Sequence, residues 1–142
     1  MHGSCLCGAV AFDAEPSELH SHACHCDMCR RWSGSAFLAV PVPAGKLAVA
    51  DPTHVRAYAS SDWAERAFCD VCGSHLYYRL KLDGPQHGQM FVALGLFDEP
   101  DRLPLASEIY IDRKPASFAF AGERKRLTAA EVEAMMMGGE SG

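Results

Sequence analysis

The apolar positions of this 142-residue chain come in short runs separated by turn residues, not in long helical stripes. Segments 9–12, 35–40, 55–59, 65–68, 76–80, 90–94 and 108–111 have strand length and are rich in apolar, β-branched or aromatic residues. Between them stand Pro43-Ala44-Gly45, Asp51-Pro52, Asp83-Gly84-Pro85 and Asp98-Glu99-Pro100-Asp101. The run at 35–40 is bounded by Gly34 and Pro41, and Phe68, Tyr77 and Tyr78 alternate with polar neighbours as residues between core and surface do. One helix is predicted. Thr128 and Glu131 form a capping box ahead of a helix-forming stretch, 129–137, and Gly138-Gly139 ends it. Met135-Met136-Met137 are expected to pack that end onto the domain. The pattern predicts a mostly β fold, one domain over 1–142, assembled as a twisted sheet with a short C-terminal helix.

Composition narrows the class. Hydrophobic residues make up 49% of the chain, enough for a core without help from disulfides. The formal net charge of −5 disfavours a nucleic-acid partner, whose affinity rests on Lys and Arg against phosphate. Arg124-Lys125-Arg126, beside Glu123, reads as a solvated face. No apolar run approaches the ~18 residues of a membrane span. The start of the sequence lacks the basic and apolar regions of a secretory leader. The expectation is a soluble, cytoplasmic protein with no membrane partner.

Seven cysteines change the picture most. They fall into three clusters: Cys5-Leu6-Cys7, Cys24-His25-Cys26-Asp27-Met28-Cys29, and Cys69-Asp70-Val71-Cys72. An odd count without a leader argues against a disulfide framework, and the Cys-x-x-Cys lacks the βαβ surroundings of a redox motif. Thiolate is a preferred zinc ligand, and structural sites close a tetrahedron from two close pairs. Glycine follows both outer pairs, as Gly8 and Gly73, and permits the left-handed turn that aims backbone N–H groups at sulfur. Cys5, Cys7, Cys69 and Cys72 therefore make one closed, structural site. Cys24, Cys26 and Cys29 remain, on what reads as one short loop. Three ligands with an open fourth position mark an exchangeable or catalytic zinc, and an all-thiolate set suits a soft thiolate substrate better than water. Another reading closes this second site with His22, His25 or Asp27. His25 can also simply point to solvent. Iron–sulfur ligation is disfavoured because three plus four cysteines leave one cluster short of a ligand.

Around the triple cluster, Arg30 or Arg31 can offset its negative charge or hold a substrate carboxylate. Trp32 reads as a packing anchor for the loop, and Ser33-Gly34 as the turn into the next strand. Asp70 is expected to be solvated, and His75 to be a hydrogen-bonded structural histidine.

The three clusters in this order resemble the glutathione-dependent formaldehyde-activating (centromere-protein-V-like) family. The stretches that carry the likeness are Gly3-Ser4-Cys5-Leu6-Cys7-Gly8-Ala9-Val10, Cys24-His25-Cys26-Asp27-Met28-Cys29-Arg30-Arg31-Trp32-Ser33-Gly34, and Phe68-Cys69-Asp70-Val71-Cys72-Gly73-Ser74-His75-Leu76. It extends over a core of 3–113, leaving 114–142 as a C-terminal extension. The resemblance implies a zinc-binding β-sheet assembly of the Mss4-like type with two zinc ions. It also implies carbon–sulfur lyase chemistry that joins formaldehyde to glutathione, with Cys24, Cys26 and Cys29 as the catalytic metal ligands. The leading expectation is thus a zinc-dependent enzyme acting on a small thiol, such as glutathione, and its aldehyde adduct. The competing one is a non-enzymatic thiol carrier or zinc-dependent interaction module.

Overall fold

The computed structural model describes the backbone of residues 1–141 and the side chains of 1–136. In chain order the strands and helices are β1 His2–Ser4, β2 Ala11–Ala14, β3 Ser21–Cys24, α1 Asp27–Ser33, β4 Phe37–Val42, β5 Leu47–Val49 and β6 Val55–Tyr58. They continue with β7 Ala64–Cys69, β8 His75–Leu80, β9 Met90–Ala93, β10 Leu105–Ile109, β11 Lys125–Leu127 and α2 Ala129–Ser141. The fold is mostly β, as the short apolar runs predict. The chain forms two compact units, one from 1–20 with 39–104, the other from 21–38 with 105 onward. No helix among the described residues is long and apolar enough to cross a membrane.

In the first unit β1, β2 and β5 form a small antiparallel sheet, with Phe12 opposite both Gly3 and Val49. The β4, β9, β8, β7 and β6 strands form an antiparallel array in that order. Inward positions of these strands make one apolar cluster that includes Phe12, Ala14, Val40, Val42, Met90, Val92, Phe97 and Leu103. Gly3 is required by a close approach: a Cβ there would lie 2.5 Å from the Leu96 carbonyl oxygen and 2.6 Å from the Phe12 ring. The β4 strand runs on through Pro41, where the sequence suggested a stop. Proline has no N–H to give, but its carbonyl accepts from the Ser17 amide at 3.1 Å, so the position contributes as an acceptor.

In the second unit β10 lies between β3 and β11, parallel to both, with Glu108 opposite Ala23 and Arg126. Several features of this unit depart from the sequence reading. The segment read as a loop carries a helix, α1, too short to show an apolar period. Cys26 caps it by accepting from the Cys29 amide at 3.3 Å, and Gly34, at φ 82°, closes it with an N–H to the Arg30 carbonyl. At the other end of the chain α2 starts at the predicted box. The Glu131 amide donates to Thr128 Oγ1 at 3.2 Å, and the Thr128 amide to Glu131 Oε1 at 3.1 Å. The Gly138-Gly139 pair does not stop it; the helix continues to Ser141. Glycine lowers helix propensity by about 1 kcal/mol without forbidding the conformation. Met135 and Met136 are more than half exposed, so the expected packing of this end is not made; the Met137 side chain lies outside the described residues.

Candidate metal centres

The closed site is built where strands end in tight turns. Cys69 is the last residue of β7, and Cys5 follows β1. Each pair sits in a reversed chain held by two backbone bonds. Gly8 donates to the Cys5 carbonyl (3.2 Å) and Cys5 to that of Val10 (2.9 Å); Gly73 donates to that of Cys69 (2.8 Å) and Cys69 to that of Ser74 (2.9 Å). The φ values of 81° at Gly8 and 78° at Gly73 are the left-handed turns that the sequence pattern requires. Backbone N–H groups then reach sulfur: Val10 to Cys5 Sγ at 3.3 Å and Ala9 to Cys7 Sγ at 3.5 Å.

All four Sγ atoms lie within 4.8 Å of one another. The Cys5–Cys7 and Cys7–Cys69 separations are 3.6 and 3.8 Å. A tetrahedron of sulfurs about 2.3 Å from a central zinc has edges of about 3.8 Å, so the donor set fits that ion. Cys5 and Cys69 are buried with Val10, Ala67 and Leu76 in a second apolar cluster, so two of the four candidate ligands are also core residues. Ser74 Oγ, 3.2 Å from Cys72 Sγ, brings the Cys72 thiol down to about 5, helped by the Ser74 and Cys7 amides. Cys7 goes the other way, to about 12. The Ala9 amide favours its thiolate, but burial and the three neighbouring sulfurs outweigh it. Four crowded thiols shed all their protons only to a cation. Asp70 is exposed, as expected, and accepts from His54 Nδ1 at 2.8 Å and Arg56 Nε at 3.0 Å, which ties its turn to β6 and its approach. His75 is half-buried at the head of β8, and desolvation lowers its pKa.

The second cluster is local. Cys24 ends β3, Cys26 caps α1, and Cys29 lies in the first turn of that helix, buried. Their Sγ atoms again lie within 4.8 Å of one another, three donors in place of four. The hydrogen bonds that Cys26 receives from Cys24 and Cys29 pull its thiol far down, and the same contacts push Cys24 up. The three sulfurs are an all-sulfur set that suits a soft metal ion.

None of the three candidate fourth ligands joins this group. His22 Nδ1 lies 2.6 Å from Ser107 Oγ, and Asp27 faces Arg113 at 3.7 Å and Arg30 at 4.0 Å. His25 does not point to solvent. It turns inward at 1% exposure, with Nε2 2.8 Å from Glu108 Oε1 and its ring against Phe118 and Phe120 at 6.0 and 5.9 Å. Glu108, also 1% exposed, accepts from Arg124 at 2.8 Å and Arg126 at 3.0 Å. The basic run read as a solvated face is therefore the counter-charge of a buried carboxylate. Burial would raise the Glu108 pKa, but His25 and the two arginines outweigh it and hold the carboxyl below its ordinary value.

Tyr110, directly after β10, is the non-glycine residue at positive φ, 56°, among the described residues. Burial raises its pKa, and the negative charge of Cys26 and Cys24 raises it further, so the phenol stays protonated. Trp32 meets the Phe37 ring edge-on at 5.1 Å, as a packing anchor should. Ser33 Oγ lies 2.7 Å from the carbonyl oxygens of both Cys29 and Ser35 and fixes the turn after α1.

Comparison with known proteins agrees with the cysteine pattern. The family described as glutathione-dependent formaldehyde-activating enzyme matches residues 1–113. The chain belongs to that family. An uncharacterized lyase of Schizosaccharomyces pombe is 34% identical over 130 residues, covering 92% of each chain. Proteins of Podospora anserina and Aspergillus flavus that carry the name glutathione-dependent formaldehyde-activating enzyme are 33% and 34% identical over 67% of this chain. This chain spans about half of their length, 46% and 52%. A crystal structure of a Rhodobacter sphaeroides protein superposes with a TM-score of 0.59 at 22% identity, over 75% of this chain and all of that one, and so shares the fold. In this member of the glutathione-dependent formaldehyde-activating family, Glu108, Phe118 and Phe120 went unnoticed as site residues in the sequence, and Arg124 was read as part of a solvated face. Glu108 and Arg124 lie 83 and 99 residues beyond His25, with no spacing motif to link them.

Proposed function

We propose that this protein is a zinc-dependent carbon–sulfur lyase-type enzyme that joins a small thiol, such as glutathione, to an aldehyde and parts the adduct again. Cys5, Cys7, Cys69 and Cys72 hold a structural zinc; Cys24, Cys26 and Cys29 hold an exchangeable one. The single observation that carries the reading is the tripod of Cys24, Cys26 and Cys29, gathered without a fourth His, Cys, Asp or Glu donor among the described residues. When bound there, zinc supplies a soft Lewis acid that lowers the pKa of an incoming thiol.

The chain's own residues set up the rest. The Cys29 amide holds Cys26 Sγ, and His25, between Cys24 and Cys26, turns inward to Glu108. In the addition, the thiol sulfur bonds to the carbonyl carbon, the C=O π pair moves to oxygen, and the thiol proton ends on that oxygen. Protonated Tyr110 stays uncharged near the sulfurs and adds no negative charge there. The family to which the chain belongs and the lyase name of its yeast relative support the reaction class. The reading includes a cytoplasmic location and one functional domain over 1–142.

Two measurements test it. Zinc per chain is expected to fall from two to about one on dialysis against glutathione; two that stay fixed point to purely structural metals. Adduct formation from formaldehyde and glutathione should exceed the uncatalysed rate and drop to background in Cys26→Ser. Saturable thiol binding without rate enhancement indicates a thiol carrier instead.

A further inference from the structure

We propose that a cleft beside the three-thiol loop is a carboxylate subsite, through which Arg30 and Arg31 select thiols that bear carboxylates. The inference rests on the thiol chemistry proposed above and names which thiols the site accepts. The cleft has a volume of about 540 Å³ and is lined by Arg30, Arg31, Ser35, Pro115, Ser117 and Phe118 among others. Cavities that hold small ligands run from about 300 to 1,000 Å³.

Its two guanidinium groups are nearly unspent. Arg31 makes no ion pair or hydrogen bond among the described residues, and the ion pair of Arg30 is an exposed contact to Asp27 at 4.0 Å. The last turn of a helix favours cations, which accounts for basic residues at this end of α1. It does not account for a cleft with two hydroxyls and a fixed wall. That wall is held by Lys114, whose Nζ donates to the Pro115 and Phe118 carbonyls and stands 5.2 Å over the Phe118 ring. Phe118 in turn stacks on His25, the residue between Cys24 and Cys26. On the other side Arg30 follows Cys29 directly on α1. Cleft and tripod therefore share a helix and a ring stack.

Charge gives the arrangement its selectivity. Three thiolates around a divalent ion carry net −1, and the chain carries −5, so an anionic thiol is repelled unless counter-charge is local. An arginine fork matches a carboxylate with two parallel hydrogen bonds, and Ser35 and Ser117 offer further donors.

The test uses S-methylglutathione, which keeps both carboxylates but has a capped sulfur, and 2-mercaptoethanol, which has a thiol and no carboxylate. Calorimetric titration of the zinc-loaded wild type should show binding of S-methylglutathione. Arg30→Gln/Arg31→Gln should bind it at least about 10-fold more weakly, the size of one lost charge-assisted hydrogen bond. Arg31→Lys, which keeps the charge without the fork, should fall between the two. Zinc release by 2-mercaptoethanol should be the same in all three proteins. Equal affinity of wild type and double variant for S-methylglutathione, or no binding to the wild type, overturns the subsite. The thiol chemistry fails separately, if neither glutathione nor 2-mercaptoethanol mobilises zinc.

Discussion

The two thiol clusters are made of the same residue in opposite ways. The four-thiol cluster joins turns whose sulfurs lie as far as 67 residues apart in sequence, inside an apolar cluster of an antiparallel sheet. The three-thiol cluster comes from six consecutive residues where a strand gives way to a short helix, and a buried charge network backs it. In the first, a metal ion that closed the ligand set would close a long loop of chain, so its binding is expected to be coupled to folding. In the second, three sulfurs are brought together by local geometry, and the fold is expected to survive their loss. Ligand count is thus only part of the difference between a structural and an exchangeable metal. The rest is whether the fold depends on the ligands or the ligands depend on the fold.

Substitutions can break that contrast. The largest effect is expected from Cys69→Ser, which removes a buried ligand of the closed site. Structural zinc sites contribute roughly 10–16 kcal/mol of apparent binding energy, so the variant should fail to fold, seen as lost near-ultraviolet dichroism and insoluble expression. Next is Glu108→Gln, which leaves two arginines and His25 without their shared anion. Breaking a buried ion pair costs about 3–5 kcal/mol, to be read from urea unfolding. The tripod should then lose its exchangeable zinc more readily while the closed site keeps its own.

Acid sharpens the same point. Glu108 is depressed in the folded state, so its contribution is fully present above the unfolded glutamate value of about 4.3. It is lost as pH falls from there through the lower folded value. Wild type should lose stability more steeply than Glu108→Gln below about pH 4.3 in matched unfolding curves. Smaller effects follow at the turns. Gly73→Ala and Gly34→Ala place a side chain at φ 78° and 82° with nothing nearby to clash, so each should cost about 1–2 kcal/mol of backbone strain. The Gly73 change should also slow zinc uptake at the closed site, and the Gly34 change should fray α1. Smallest for stability is Cys26→Ser. Serine is itself a favoured helix cap, so after dialysis against glutathione the variant should match wild type within about 1 kcal/mol. Before dialysis it should hold one zinc fewer.

Membership of both clusters was legible in the sequence because ligand spacing is set by short turns: two and three residues within a pair, and a glycine after it. The start of α2 was legible for the same reason, since a capping box is a local signal. What was not legible depends on distant partners or on permissive rules. The α1 helix is seven residues long, and its cap is a cysteine, outside the usual set. Arg124 and Arg126 look like any surface pair until β11 is laid against β10 and Glu108 comes within reach of both. His25 reads as exposed for the same reason, its partner lying 83 residues on. Pro41 and Gly138-Gly139 were read as stops, and each is a preference that neighbouring hydrogen bonds can override.

The network around Glu108 has a consequence for the order of events on the ribosome. Chains emerge from the N-terminus at about 5–20 residues per second. The closed site has all its ligands once residue 72 is out. The tripod has all its sulfurs by residue 29, yet the carboxylate that fixes His25 arrives at 108 and its arginines at 124 and 126. From residue 29 to residue 108 of synthesis the loop carries its three thiols without that carboxylate. A chain cut at residue 113, where the family match ends, would keep all seven cysteines and Glu108 but lack the two arginines that neutralise that carboxylate and the Phe118 and Phe120 rings against His25.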